Sequence, residues 1–291
     1  MTPLRQQMLA ALQRSGKGER TQQTSVREIR LLAQFYRKSP DLISEQELQQ
    51  YVLHRKNINH LSPRSMRICY SALRFFYHHV LERGWKTLDL IRAESEHRLP
   101  AILSLEEVHR LLNAATPLHN RVYFTTVYSC GLRLHEALYL QVSDIDSPRH
   151  MLHVHRGKGA KDRYVPLPHE TLELLRLSWK THRNPSWLFP ACGRDQKHMA
   201  TATTPLSRSS VQGAFRKATQ RAGIIKREVG VHTLRHSYAT HLLEAGVNLR
   251  AIQRYLGHAH PETTMLYLHL THKGQEDAYQ RIDALMRGFQ V

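Results

Sequence analysis

From the start of the chain, apolar residues recur three and four apart, the spacing that lines one face of an α-helix. Leu4, Met8, Ala11 and Leu12 make such a face, opened by Thr2-Pro3 as cap and first-turn proline and closed at Gly16. Val26, Ile29, Ala33 and Tyr36 make a second, ending before Pro40. Ser44 with Glu47 forms a capping box ahead of Leu48, Tyr51 and Val52. Ser62-Pro63 then starts a fourth helix carrying Met66, Cys69, Leu73, Phe76 and Val80, closed by Gly84. Four amphipathic helices predict a small bundle, with Arg64, Arg67 and Arg74 off its apolar stripe.

Between Lys86 and Pro100 the pattern turns polar, which predicts a linker and a division into domains at 1–90, 91–100 and 101–291. A second capping box, Ser104 with Glu107, opens the next domain, and helical spacing runs over 104–139. Residues 151–167 alternate as a hairpin, two β-leaning stretches around Gly157-Lys158-Gly159. Helical spacing returns over 168–181, 207–222, 232–245 and 249–256, while Ala191 to Pro205 lacks apolar period and reads as a loop. The fold class is therefore mainly α with a small antiparallel β-hairpin.

Charge changes this picture from a generic helical protein to a polyanion binder. The 291 residues hold 42 Lys and Arg against 24 Asp and Glu, a formal net charge of +18. Residues 1–100 carry 17 basic and 9 acidic residues and the remainder 25 and 15, so both domains are basic. An excess in both halves fits a clamp around duplex DNA better than a single tether; RNA or an acidic membrane surface would satisfy charge alone. Cys69, Cys130 and Cys192 form no metal-ligand spacing, and their odd number argues against a secreted disulfide framework. No apolar run approaches the roughly 20 residues that span a bilayer, and the N-terminus has no signal-peptide core. An intracellular protein is expected.

Candidate chemistry concentrates between Val231 and Leu268. His232 and Arg235 stand three apart on one helical face and can point at one oxyanion. Gly257 permits a left-handed helix end that aims His258 away from the helix, and Tyr267 follows nine residues later. A tyrosine hydroxyl, with a pKa near 10, needs cations and a proton acceptor to act as a nucleophile. Among 21 histidines an H-x-x-R pair arises by chance, and a lone tyrosine is most often a core residue. The ordered set carries the signal: Thr-Leu-Arg-His, Ala-Thr-His-Leu-Leu, Leu-Gly-His and Thr-Thr-x-x-Tyr.

In that order these motifs resemble the tyrosine recombinases of the phage integrase, Xer-like family. Upstream, Tyr128-Ser-Cys-Gly131-Leu-Arg133-Leu-His-Glu136 is similar to the family's first box. The resemblance implies that Arg133 binds the scissile phosphate, that Glu136 steadies the site, and that Lys158, between two glycines, protonates the leaving group. It further implies an N-terminal helical, SAM-like core-binding domain and a C-terminal tyrosine recombinase catalytic domain, loose over residues 1–100 and specific over most of 101–270. Leu268 departs from the polar residue that many relatives carry after the tyrosine.

Phosphodiester chemistry fits these residue types. Arg133 and Arg235 hold nonbridging oxygens with planar guanidiniums that keep their protons, and His258 adds a donor. Lys158 is the general acid, and His232 is the candidate for proton exchange with Tyr267; His236 reads as structural. Attack by Tyr267 gives a 3′-phosphotyrosine and a free 5′ hydroxyl, storing the bond energy so that neither ATP nor metal is needed. No G-x-x-x-x-G-K-S/T loop and no two-metal acidic cluster is present, and no cofactor is expected. His153 and His155 share one face of a strand like a metal pair, yet no third ligand is in view.

The implied activity is site-specific recombination through a Holliday junction. The expected partner is double-stranded DNA with inverted core recognition sites, bound by a homotetramer in the cytoplasm at the nucleoid, with no membrane. The resemblance implies that Thr271 to Val291, with Tyr279, Ile282, Leu285 and Met286 at helical spacing, packs on a neighbouring subunit; the same spacing also suits a helix packed on its own domain. Other readings of the same fold are a non-catalytic DNA-binding regulator and type IB topoisomerase-like nicking and rejoining. The stretch from Trp187 to Val231 is too short for the integron-type insertion, which leaves a mobile-element integrase first and a Xer-like resolvase second.

Overall fold

The computed structural model describes residues 2–86, 88, 100–155, 162–193, 196–258, 262–265 and 267. Two compact units divide the chain, Met1–Arg98 and Leu99–Val291, and the predicted 91–100 linker lies almost wholly outside the described residues.

The first unit is a helical bundle. Helix α1 (Pro3–Arg14) begins with proline in its first turn and ends ahead of Gly16, which takes a φ of 65°. Helix α2 spans Glu19–Tyr36, and α3 (Glu45–Asn57) starts from the Ser44–Glu47 capping box. Helix α4 (Pro63–Phe75) is capped by the Ser62 hydroxyl and widens into a π turn over Phe76–Val80, ending the helical run short of Gly84. The core collects Met8, Leu12, Leu32, Leu48, Tyr51, Met66, Cys69, Leu73, Phe76 and Tyr77. On α2 the buried stripe is rotated from the predicted one: Ser25, Glu28, Ile29 and Leu32 are buried, with Val26 and Tyr36 at its margin. The rotation is possible because buried Glu28 is neutralised by Arg55 at 3.0 Å. Arg64, Arg67 and Arg74 are exposed as predicted.

The second unit centres on a helix that sequence spacing alone does not delimit. Residues 104–139 form three helices rather than one: α5 (Leu105–Ala114), α6 (Leu118–Ser129) and α7 (Leu134–Leu138). Pro117, which has no N–H to donate, separates the first two, and Gly131 at φ 59° separates the last two. On α6, Val122, Tyr123, Phe124 and Val127 are fully buried, and the helix packs on both α8 (His169–His182) and α11 (Val231–Glu244). The hairpin is present as β2 (Met151–Val154) and β3 (Arg163–Pro166), antiparallel with Val154 opposite Arg163. A third strand, β1 (Ile145–Asp146), pairs with β2; two residues are too few to show a period. The predicted loop 191–205 contains a one-and-a-half-turn helix, α9 (Gln196–Thr201), also too short to carry an apolar stripe. Helices α10 (Arg208–Arg221), α11, α12 (Leu249–Leu256) and α13 (Glu262–Met265) complete the unit. No helix among the described residues is long and apolar enough to cross a membrane.

Two clusters divide the packing. The larger joins α5, α6, α8, α10 and the sheet. The smaller joins Tyr238 and Ala239 of α11, Ile252 and Leu256 of α12, and Tyr267. The candidate site lies where α6, α11 and α12 end or cross.

Candidate active site

Two helix ends make the framework. Helix α6 closes at Gly131, whose N–H bonds Tyr128 O at 3.2 Å while Leu132 N–H bonds Val127 O at 3.0 Å. Helix α12 closes in the same way at Gly257, φ 61°, with Gly257 N–H on Arg254 O at 3.1 Å and His258 N–H on Gln253 O at 3.2 Å. This paired closure needs a left-handed residue. It leaves carbonyls in the last turn and just past the helix ends without backbone partners. A Cβ at Gly131 would also meet the Tyr238 ring at 2.6 Å, and one at Gly257 would meet Arg163 Cδ at 3.0 Å.

Guanidiniums take those carbonyls. Arg235, on α11 and 3% exposed, donates to Gly131 O at 2.8 Å and to Leu256 O. Arg133 donates to Gly257 O at 3.1 Å, and Arg163 Nε donates to Tyr255 O at 2.8 Å. Cations thus sit at the negative ends of two helix dipoles, which offsets part of the cost of burying them.

Glu136 ties the three together. In the first turn of α7, its carboxylate accepts Arg133 N–H at 2.8 Å, Arg133 Nη1 at 2.6 Å, and both Arg163 terminal nitrogens at 2.9 and 2.7 Å. Arg235 Nη1 stands 3.5 Å away. Burial alone would raise the carboxyl pKa, but the hydrogen bonds and charge of Arg163, the Arg133 N–H and Arg235 hold it at about 2. Burial and Arg133 lower Arg235 to about 9, so it stays charged at neutral pH. Three guanidiniums face one carboxylate, and the excess is an anion site with Arg133, the most exposed of the three, at its outer edge. Glu136, its oxygens already engaged, offers nothing to a cation.

The tyrosine stands beside this cluster. Tyr267 is 1% exposed, and its hydroxyl lies 2.8 Å from His236 Nδ1. Burial raises the phenol pKa, and Arg235 and Arg133 pull it back. Burial, then His232 and Arg235, lower the His236 ring to about 4, so it is neutral at physiological pH. Burial, then Arg235 and Arg133, lower His258 to about 3; its Nδ1 is 2.8 Å from Thr264 Oγ1, and its ring lies parallel to Tyr267 at 6.3 Å. His232 is exposed, and the atoms crowding its ring, then Arg235 and Arg133, lower its pKa.

The structure therefore brings Arg133, Glu136, Arg235, His258 and Tyr267 together. It differs from the sequence reading at the tyrosine: His236, taken there as structural, holds the hydroxyl in place of His232. Positions 232 and 236 are a turn apart on α11, and only the placement of Tyr267 decides which one it meets. Lys158 lies outside the described residues. Arg163 is the member that motif reading missed. Its signal was an arginine sharing the inward strand face with Val165, a position a charge occupies only when partnered.

The chain matches the model of the phage integrase family over residues 101–273 and that of the phage integrase N-terminal SAM-like domain over residues 4–87. This chain belongs to the phage integrase family of tyrosine recombinases. A putative integrase/recombinase, y4qK, of Sinorhizobium fredii is 39% identical over 271 residues, covering 93% of this chain and 85% of that one. Tyrosine recombinase XerA of Thermococcus kodakarensis is 35% identical over 78% of this chain and 79% of its own length. Among solved structures, a λ integrase dimer bound to a core site shares the fold with a TM-score of 0.72, at 18% identity over 89% of this chain and 92% of that one. The family assignment rests on the sequence matches; the λ integrase likeness is one of fold.

Proposed function

We propose that this recombinase cuts and rejoins double-stranded DNA at specific sites through a 3′-phosphotyrosine carried by Tyr267. The observation that carries the reading is the three-guanidinium, one-carboxylate cluster next to a tyrosine already hydrogen-bonded to a neutral histidine. A phosphodiester entering the cluster places its nonbridging oxygens against Arg133 and Arg235, the position where each preorganised donor lowers the barrier by about 3 kcal/mol.

Tyr267 Oη attacks phosphorus, the P–O5′ bond breaks, and the phenol proton passes to His236. The 5′ oxygen leaves as a hydroxyl after taking a proton, a role the family resemblance gives to Lys158. His258 donates to a nonbridging oxygen through Nε2 while Thr264 occupies Nδ1. Attack by a 5′ hydroxyl reverses every step, so no bond energy is lost and the chemistry calls for neither nucleotide nor metal. If that hydroxyl comes from a second duplex, strands are exchanged and a Holliday junction forms. We infer a homotetramer on two duplexes with inverted core sites, working in the cytoplasm at the nucleoid, with a mobile-element integrase as the first role and a Xer-like resolvase as the second. The λ integrase relative in fold holds a core site as a dimer, and the S. fredii relative carries the name integrase/recombinase.

The test is a suicide substrate nicked near the cleavage point, cut from DNA flanking the gene and run on a denaturing gel. Wild type gives a covalent protein–DNA band without Mg²⁺, and Tyr267→Phe gives none. No band on DNA that the protein demonstrably binds would leave a non-catalytic DNA-binding protein.

A further inference from the structure

A second polar cluster lies on the outer face of the sheet, with Asp144 and His155 in a cleft that Glu136 also lines. His153 and His155 are two apart on β2 and point to the same side, because Leu152 and Val154 take the core side. The third ligand that sequence could not supply comes from the turn before β1: Asp144, 3% exposed, whose Oδ1 stands 2.7 Å from His155 Nε2. One donor atom from each of Asp144, His153 and His155 lies within 4.8 Å of the other two. Asp162, at the entry to β3, adds a carboxylate oxygen 3.5 Å from His153 Nε2 and 3.6 Å from His155 Nδ1.

The groups around these donors fix their orientation. Gln141 N–H holds the other Asp144 oxygen at 2.8 Å, and the Tyr164 ring stacks on His153 at 4.4 Å and 8°. The two imidazoles pack with centroids 3.9 Å apart, an arrangement that two protonated rings would resist, and an ion bound by both would spread them. Outer contacts that orient a carboxylate and an imidazole in this way are what metal centres use.

We propose that Asp144, His153 and His155 bind one divalent transition-metal ion of the zinc type, with Asp162 or water in the fourth position. Two imidazole nitrogens and a carboxylate oxygen suit zinc and its neighbours cobalt and nickel. Neighbouring ligand atoms of a tetrahedral zinc lie about 3.3 Å apart, so the ion replaces the His155–Asp144 hydrogen bond by opening it about 0.6 Å. Residues 155 and 162 flank the segment 156–161, which includes Gly157-Lys158-Gly159. The ion ties the two ends of that segment together and takes no part in the phosphoryl chemistry.

The experiment uses the full chain, stripped with chelator and dialysed, titrated with Zn²⁺ by calorimetry and with Co²⁺ by visible absorption. One site per chain is expected, with the intense bands of four-coordinate Co²⁺, and His153→Gln, His155→Gln and Asp144→Asn each weaken binding by about 10- to 100-fold. His60→Gln, at an exposed position in the other unit, binds as wild type does. Hydrogen exchange of the β2 and β3 amides slows on adding Zn²⁺ in wild type and in His60→Gln only; this reads the site even if a variant loses stability. Absence of a site in wild type overturns the proposal, as does a site that survives His153→Gln with His155→Gln. Neither result bears on Tyr267, whose adduct is assayed separately.

Discussion

Arg133, Arg163 and Arg235 are each held by a helix-end carbonyl as well as by Glu136, so their positions are set several times over. Tyr267 follows the four-residue helix α13, and its hydroxyl rests on one described side chain, His236. The first region is assembled before any substrate arrives. The second is 1% exposed, so the proposed reaction requires Oη to be uncovered before it meets a phosphate. The contrast follows from chemistry: cations that stabilise a transition state act best when they need no reorganisation, whereas a nucleophile is safest covered until DNA is seated.

Removing the hub of the rigid end has the largest expected effect. Glu136→Gln leaves three buried or half-buried guanidiniums without their carboxylate and lowers stability by about 3–5 kcal/mol in urea unfolding. The same residue sets an acid limit. Its folded pKa is lowered from 4.5 to about 2, so its contribution is fully present above pH 4.5 and is lost as pH falls through about 2. A stability profile of wild type slopes down across that window, and Glu136→Gln removes this part of the slope.

Arg235→Lys keeps the charge and loses the fork that reaches Gly131 O and Leu256 O. Single-turnover cleavage falls by about 10²- to 10³-fold while DNA affinity at fixed salt changes little. A comparable loss of affinity would mean that Arg235 serves binding rather than the transition state.

At the tyrosine end, His236→Ala lowers cleavage by about 10²-fold, and His232→Ala lowers it less. The reverse order would return the proton-exchange role to His232 and mark the His236 contact as a resting arrangement. Gly257→Ala sharpens the comparison most gently. A left-handed alanine costs about 1–2 kcal/mol, and its Cβ at 3.0 Å from Arg163 Cδ presses on the rigid end. The melting temperature falls by several degrees, and cleavage falls with it only if Arg163 shifts.

Much of this was legible in the linear pattern. The Ser44 and Ser104 capping boxes form as spaced, because a cap is satisfied within one turn. The two glycines that close α6 and α12 stand in motifs readable without coordinates. Arg163 was not legible: its partners Glu136 and Tyr255 lie 27 and 92 residues away, and no local period encodes such pairs. Nor was the choice between His232 and His236, which depends on where a separate segment delivers a hydroxyl.

The sequence by itself determined the helical bundle, the hairpin, the family, and Arg133, Arg235, His258 and Tyr267 as candidates, because these depend on residue type and on spacings within a turn or two. Tertiary structure alone decided which carbonyls receive the guanidiniums, which histidine meets Tyr267, and that Asp144 joins His153 and His155. Those contacts join residues distant in the chain. Their geometry exists only after the apolar cores between helices and sheet have packed and fixed the angles between elements.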